Sequence, residues 1–171
     1  MFKSLKKKIK DQRGLTLIEL LAVIVILGII AAIAIPAIGG LIDNTKKDAH
    51  IANAQQMINS AKLAITSDPA LQPKTDGGKS YISLAYLEAQ GYIDEVKDPD
   101  GSNYEKGDPD LVDDADATKS LIGTAPADTT SYVEVTKSGK GYTYVVNLYG
   151  SERKIQKAAL SGLVRTAVVK R

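Results

Sequence analysis

From Leu20 to Ile42 the chain carries no charged residue, and 14 of these positions are Leu, Ile or Val. An α-helix over this run spans about 34 Å, against about 30 Å for the hydrocarbon core of a bilayer. The pattern therefore predicts a helix able to cross a membrane. Past Ile42 polar residues return, but the helical period persists. Ile51, Ala54, Ile58, Ala61 and Ile65 recur at spacings of three and four, which draws one apolar stripe along a helix face. Asp68-Pro69 ends the pattern, because a residue before proline is pushed out of the α region. One helix from Leu15 to about Thr66, about 78 Å long, is expected.

After this stop the pattern shortens. Leu84 to Gln90 reads as a small helix with Ser83 as N-cap, Ile82 and Leu87 spaced as a hydrophobic staple, and Gly91 as the residue past its C-terminus. Val96 to Pro126 is rich in Asp, Gly and Pro and reads as a surface loop region. Ser131–Thr136 and Tyr142–Leu148 are β-branched and aromatic runs joined by a five-residue loop, Lys137–Gly141. A third strand is expected around Lys154–Lys157. Ala158–Arg171 reads equally as a short helix or an edge strand, broken at Ser161-Gly162. The fold class expected is α+β: a long N-terminal helix, half membrane span and half amphipathic, packed on a small antiparallel sheet.

Charge sharpens this picture. The first 14 residues hold Lys3, Lys6, Lys7, Lys8, Lys10 and Arg13 against Asp11 alone, whereas the whole chain carries only +2, so the remainder is net acidic. An acidic body is a poor match for nucleic acid, which calls for a basic patch against phosphates. A basic start before an apolar run suits the anionic inner face of a membrane and orients the N-terminus to the cytoplasm, with residues beyond about Asp43 outside. The 171-residue chain has no cysteine, which excludes disulfides, thiolate metal sites and lipidation on cysteine. All eight tyrosines lie at or beyond Tyr81, so the aromatic core belongs to the C-terminal part, with Tyr142 and Tyr144 sharing one strand face.

Glu19 interrupts the apolar stretch. The insertion gain of the Leu, Ile and Val residues is about 4 to 8 kcal/mol, and an acid near the bilayer centre costs about 3 kcal/mol. Such an acid usually has a partner, yet no Lys, Arg or His occurs between Leu15 and Ile42. The partner must come from another molecule or from a new chain end. A secretory signal peptide cut at Ala32-Ile33-Ala34 is one competing reading, opposed by Glu19 inside its apolar region and by an apolar run that continues to Ile42; a plain signal anchor is another.

Gly14-Leu15-Thr16-Leu17-Ile18-Glu19-Leu20-Leu21 resembles the processing motif of the type IV pilin and pseudopilin family: a short basic leader, a glycine, an apolar residue, and glutamate fifth after the cut. Leu15 stands where phenylalanine is usual. The resemblance covers about residues 1–66, and Gly28 and Pro36 also fall where such proteins have them. It implies a leader over 1–14, a membrane and filament-core half-helix over 15–42, an amphipathic half over 43–66 and a globular head over 67–171. It further implies cleavage between Gly14 and Leu15 by a prepilin peptidase, N-methylation of Leu15, and pairing of Glu19 with the Leu15 amine of a neighbouring subunit during assembly. Pro36 removes a backbone donor and crowds the carbonyl of Ala32, so a kink is expected between Gly28 and Pro36.

The function so implied is a structural subunit, held in membrane lipid and then polymerised by an assembly machinery into a homo-oligomeric helical filament on the cell surface, for adhesion, motility or DNA uptake. A pseudopilin of a type II secretion or competence system shares the same N-terminus, and a membrane-anchored monomeric binding domain is a further alternative. An enzyme is not expected, since the sequence has no P-loop, dinucleotide fingerprint or histidine placed beside a nucleophile; Asp113-Asp114 read as solvated. No cofactor and no metal are expected. Asp98-Pro99-Asp100-Gly101-Ser102 does place carboxylates two apart, as calcium loops do, but glycine is not sixth and Pro109 stands twelfth. A solvated acidic loop is the leading reading there and calcium the alternative. His50, the single histidine, reads as a solvated residue on the helix face.

Overall fold

A computed structural model describes the backbone of residues 2–107 and 126–171, with side chains described from Thr16 onward; the side chains up to Leu15 and the loop over 108–125 with Asp113-Asp114 lie outside what it describes. The chain divides into two compact units, Met1–Asp43 and Asn44–Arg171.

The described residues of the first unit are helical. Helix α1 (Phe2–Ser67) begins in it, and the helical assignment continues unbroken through Gly28 and Pro36. From Leu17 to Ile42 every Leu, Ile and Val side chain is exposed by 51% to 72%, on all sides of the helix. The second unit opens with the amphipathic part of α1, whose buried stripe is Ala54, Met57, Ile58, Ala61, Ala64 and Ile65. The helix stops as its sequence predicts. Asp68 is extended, its carboxylate accepts from Ala70 N at 2.8 Å, and Pro69 opens a single 3₁₀ turn. Gln72 Nε2 reaches back to the Ile65 carbonyl at 2.8 Å, supplying one of the donors that a helix C-terminus lacks.

Among the described residues five antiparallel strands follow in simple meander order: β1 (Lys79–Ser83), β2 (Tyr132–Ser138), β3 (Gly141–Tyr149), β4 (Arg153–Ala159) and β5 (Val168–Lys170). Register aligns their apolar residues across the inner face. Ile82 pairs with Val133, Val133 with Val146, Leu148 with Ile155, and Ile155 with Val168. All are buried in one cluster with the α1 stripe, against which Tyr142 and Tyr144 also pack. Helix α2 (Leu84–Ala89) starts directly from β1. Ser83 Oγ accepts from Tyr86 N at 3.1 Å, Ile82 and Leu87 are fully buried, and Gly91 takes φ +72° just past the helix end.

Several expectations need correction. The β2–β3 connection is a two-residue turn, Gly139-Lys140, because Ser138 pairs with Gly141; Gly139 at φ +58° gives the hairpin a residue suited to a left-handed turn position. The third strand extends beyond its expected ends to Arg153–Ala159, and it contains a bulge in which Gln156 and Lys157 face Asn147. Lys157 adopts φ +46° there, a left-handed conformation uncommon for a residue other than glycine, at the irregularity of the bulge. The C-terminal segment resolves into two 3₁₀ turns, Leu160–Gly162 and Arg165–Ala167, before the edge strand β5. Strand β1 was not expected. Its pattern is not alternating because four of its five residues are buried.

Candidate functional site

Two features of the molecule call for chemistry beyond packing. The first is the N-terminal stretch. Glu19 sits on α1 as an exposed residue amid exposed apolar ones. No large side chain of this stretch finds cover within the described residues, and a helix apolar all round is stable only inside lipid or among other helices. Added side-chain bulk at Gly28 would meet nothing within 4 Å, so that glycine is not required by contacts within the chain. Among the described residues this is one helix long and apolar enough to cross a membrane.

The second feature is a buried ionic cluster in the C-terminal unit. His50 projects from α1 into it with only 1% exposure, which corrects the reading of a solvated histidine. The acidic loop is corrected with it: the side chains of Asp98 and Asp100 are 0% and 2% exposed. Their chain turns at Gly101, whose φ is +100°, and is closed by a bridge between Lys97 and Asn103. The two carboxylates thereby point back at α1.

Each carboxylate divides its oxygens. Asp98 Oδ2 accepts from Ser151 N at 2.7 Å and Ser151 Oγ at 2.9 Å, holding the β3–β4 turn. Its Oδ1 accepts from Asp100 N at 2.9 Å and lies 3.6 Å from His50 Nε2. Asp100 Oδ1 is paired with Arg153 of β4 and with Lys46 of α1, the latter at 3.3 Å, while Oδ2 stands 3.1 Å from His50 Nε2. On the far side of the ring, Nδ1 meets the Tyr104 hydroxyl at 2.8 Å, and Asn53 Nδ2 donates to that hydroxyl at 3.0 Å.

The ring contacts fit the tautomer that carries its hydrogen on Nε2. Nε2–H donates to Asp100, Nδ1 accepts from Tyr104, and Tyr104 accepts from Asn53. Burial pushes the Asp100 carboxyl up, but hydrogen bonds from His50, Arg153 and Lys46 outweigh this and hold it below its ordinary value. Burial raises the Tyr104 hydroxyl well above the usual tyrosine range against the hydrogen bond from Asn53, with Asp98 and Asp100 adding to the rise. The cluster thus joins α1, the 96–104 loop and β4 by charge, with Lys46 and Arg153 as counterions.

Sequence reading singled out Asp98 and Asp100 but joined neither to His50, which it left on a solvated helix face. The two-apart carboxylates were the available signal, but nothing in the spacing shows that a residue about fifty positions earlier meets them.

Residues 9–35 match the family described as the prokaryotic N-terminal methylation motif, which is the leader signature of type IV pilins and pseudopilins. No curated protein and no solved structure matches the chain. The signature, with the long apolar helix that follows it, fits a membrane-anchored protein and points to a structural subunit rather than an enzyme.

Proposed function

We propose that the chain is a type IV pilin-like subunit, cut after Gly14 by a prepilin peptidase, N-methylated at Leu15, and polymerised through its apolar helix into a cell-surface filament. The observation that carries this reading is the methylation motif over residues 9–35 running directly into a helix whose apolar side chains are exposed all round. A membrane can hold that helix before assembly, and identical helices can cover it afterwards. The basic residues lie on its N-terminal side, which by the positive-inside rule supports a cut on the cytoplasmic face. Cleavage turns Leu15 into a cationic chain end four residues before Glu19. The amine of one subunit then supplies the charge that Glu19 of the next lacks. Assembly of this kind is heterologous and does not close, so it yields an open fibre.

The N-terminus of the processed protein from its native host decides the matter, read by N-terminal sequencing and intact mass. A chain beginning at Leu15, with the mass of one added methyl group, is expected. A chain beginning after Ala34 refutes the proposal. Loss of surface fibres on deletion is the expected phenotype, whereas loss of secretion or DNA uptake with fibres intact assigns the subunit to a pseudopilin system.

A further inference from the structure

We propose that His50, Asp98 and Asp100 form a binding site for a divalent transition-metal ion of the zinc type. His50 Nε2 faces two carboxylate oxygens: Asp100 Oδ2 at a hydrogen-bond distance of 3.1 Å, and Asp98 Oδ1 at 3.6 Å, beyond hydrogen-bond reach but at the spacing of two ligands of one ion. In a tetrahedral site with bonds of about 2.0–2.2 Å, ligand atoms stand about 3.3–3.6 Å apart. The two separations lie at or close to that range, and one ligand atom from each of the three residues lies within 4.8 Å of the others.

The surroundings also resemble those of a metal site. Ligating carboxylates are themselves held by hydrogen bonds, and a ligating imidazole has its second nitrogen fixed by a polar group. Here Ser151 holds the far oxygen of Asp98, Arg153 holds that of Asp100, and the Tyr104 hydroxyl stands on His50 Nδ1. On binding, the imidazole hydrogen is carried on Nδ1 instead of Nε2 and is hydrogen-bonded by the Tyr104 oxygen, whose own hydrogen must then rotate away from the ring. A nitrogen ligand favours zinc, copper or nickel over calcium and magnesium, which take oxygen sets. Lys46 is the competing cation. Its side chain is 38% exposed on a flexible stem, so it can withdraw to solvent while Arg153 remains.

The test uses the full chain in detergent micelles, freed of metal by chelation and titrated with zinc, cobalt or calcium chloride. Zinc is expected to raise the Tm and saturate at one equivalent, and cobalt to give the visible absorption of a four-coordinate site. Calcium is expected to leave the Tm unchanged. His50→Gln should abolish both zinc and cobalt signals, and Lys46→Ala should tighten zinc binding by removing the competitor. An equal response to calcium, a zinc response that survives in folded His50→Gln, or no zinc binding at millimolar concentration by Lys46→Ala overturns the proposal. Should His50→Gln fail to fold, Lys46→Ala and the cobalt spectrum decide alone.

Discussion

Asp98 and Gly150 constrain one another. A Cβ added at Gly150 would lie 2.7 Å from Asp98 Oδ2 and 2.8 Å from the Arg153 carbonyl, so the turn carries glycine because a carboxylate fills the space beside it. Gly150→Ala is expected to force that carboxylate off Ser151 and to destabilise the C-terminal unit by about 1–3 kcal/mol, measured by thermal denaturation. Asp100 adds a pH dependence. A carboxyl held below its ordinary value in the folded state contributes stability that is complete above its unfolded pKa, about 3.9, and is lost as pH falls through the folded value. The Tm should therefore drop as pH is lowered below about 4. Asp100→Asn, which removes the charge, should begin lower at neutral pH and lose less over the same interval; parallel pH profiles for the two proteins would refute the assignment.

At the scale of elements, the C-terminal half of α1 is held to the sheet by its buried apolar stripe. Ile58 is fully buried in that stripe, so Ile58→Ala should cost about 2–5 kcal/mol in urea denaturation, while Gln55→Ala on the exposed side should stay within about 0.5 kcal/mol. This stripe was legible in the sequence because a helix half covered by a sheet repeats every three to four residues. So were α2, through its serine cap and glycine exit, and the β2–β3 hairpin, whose β-branched runs frame it. Strand β1 was not, since Lys79–Ser83 is short and buried on both faces and therefore lacks a period of two. The ionic cluster was hidden for a different reason. His50, Asp98 and Arg153 come from three elements far apart in sequence, and their meeting follows from tertiary packing that no local pattern encodes. Local chemistry, such as the motif around Gly14 and Glu19, is readable because its residues are neighbours in the chain.

For the whole molecule the decisive quantity is the charge of Glu19 in an apolar setting. In membrane lipid Glu19 can lie near the headgroups, where its cost is modest. In the filament proposed above, apolar helices would surround Glu19 and its carboxylate would pair with the amine of a neighbouring Leu15, so that removing one partner would leave the other charge buried alone. Breaking such a pair costs roughly 3–5 kcal/mol, a factor of about 10² to 10³ in the assembly equilibrium. Glu19→Ala should leave cleavage intact, because the Gly14-Leu15 bond is untouched, yet starve the filament. Expressed in the native host, the variant is expected as processed subunit in the membrane fraction, with few fibres in the sheared fraction or by electron microscopy. Mixed with wild-type subunits it should still enter fibres at reduced occupancy, since each variant lacks one of two charge contacts. Wild-type fibre yield from the variant alone would show that apolar packing suffices, and would leave Glu19 without a role in assembly.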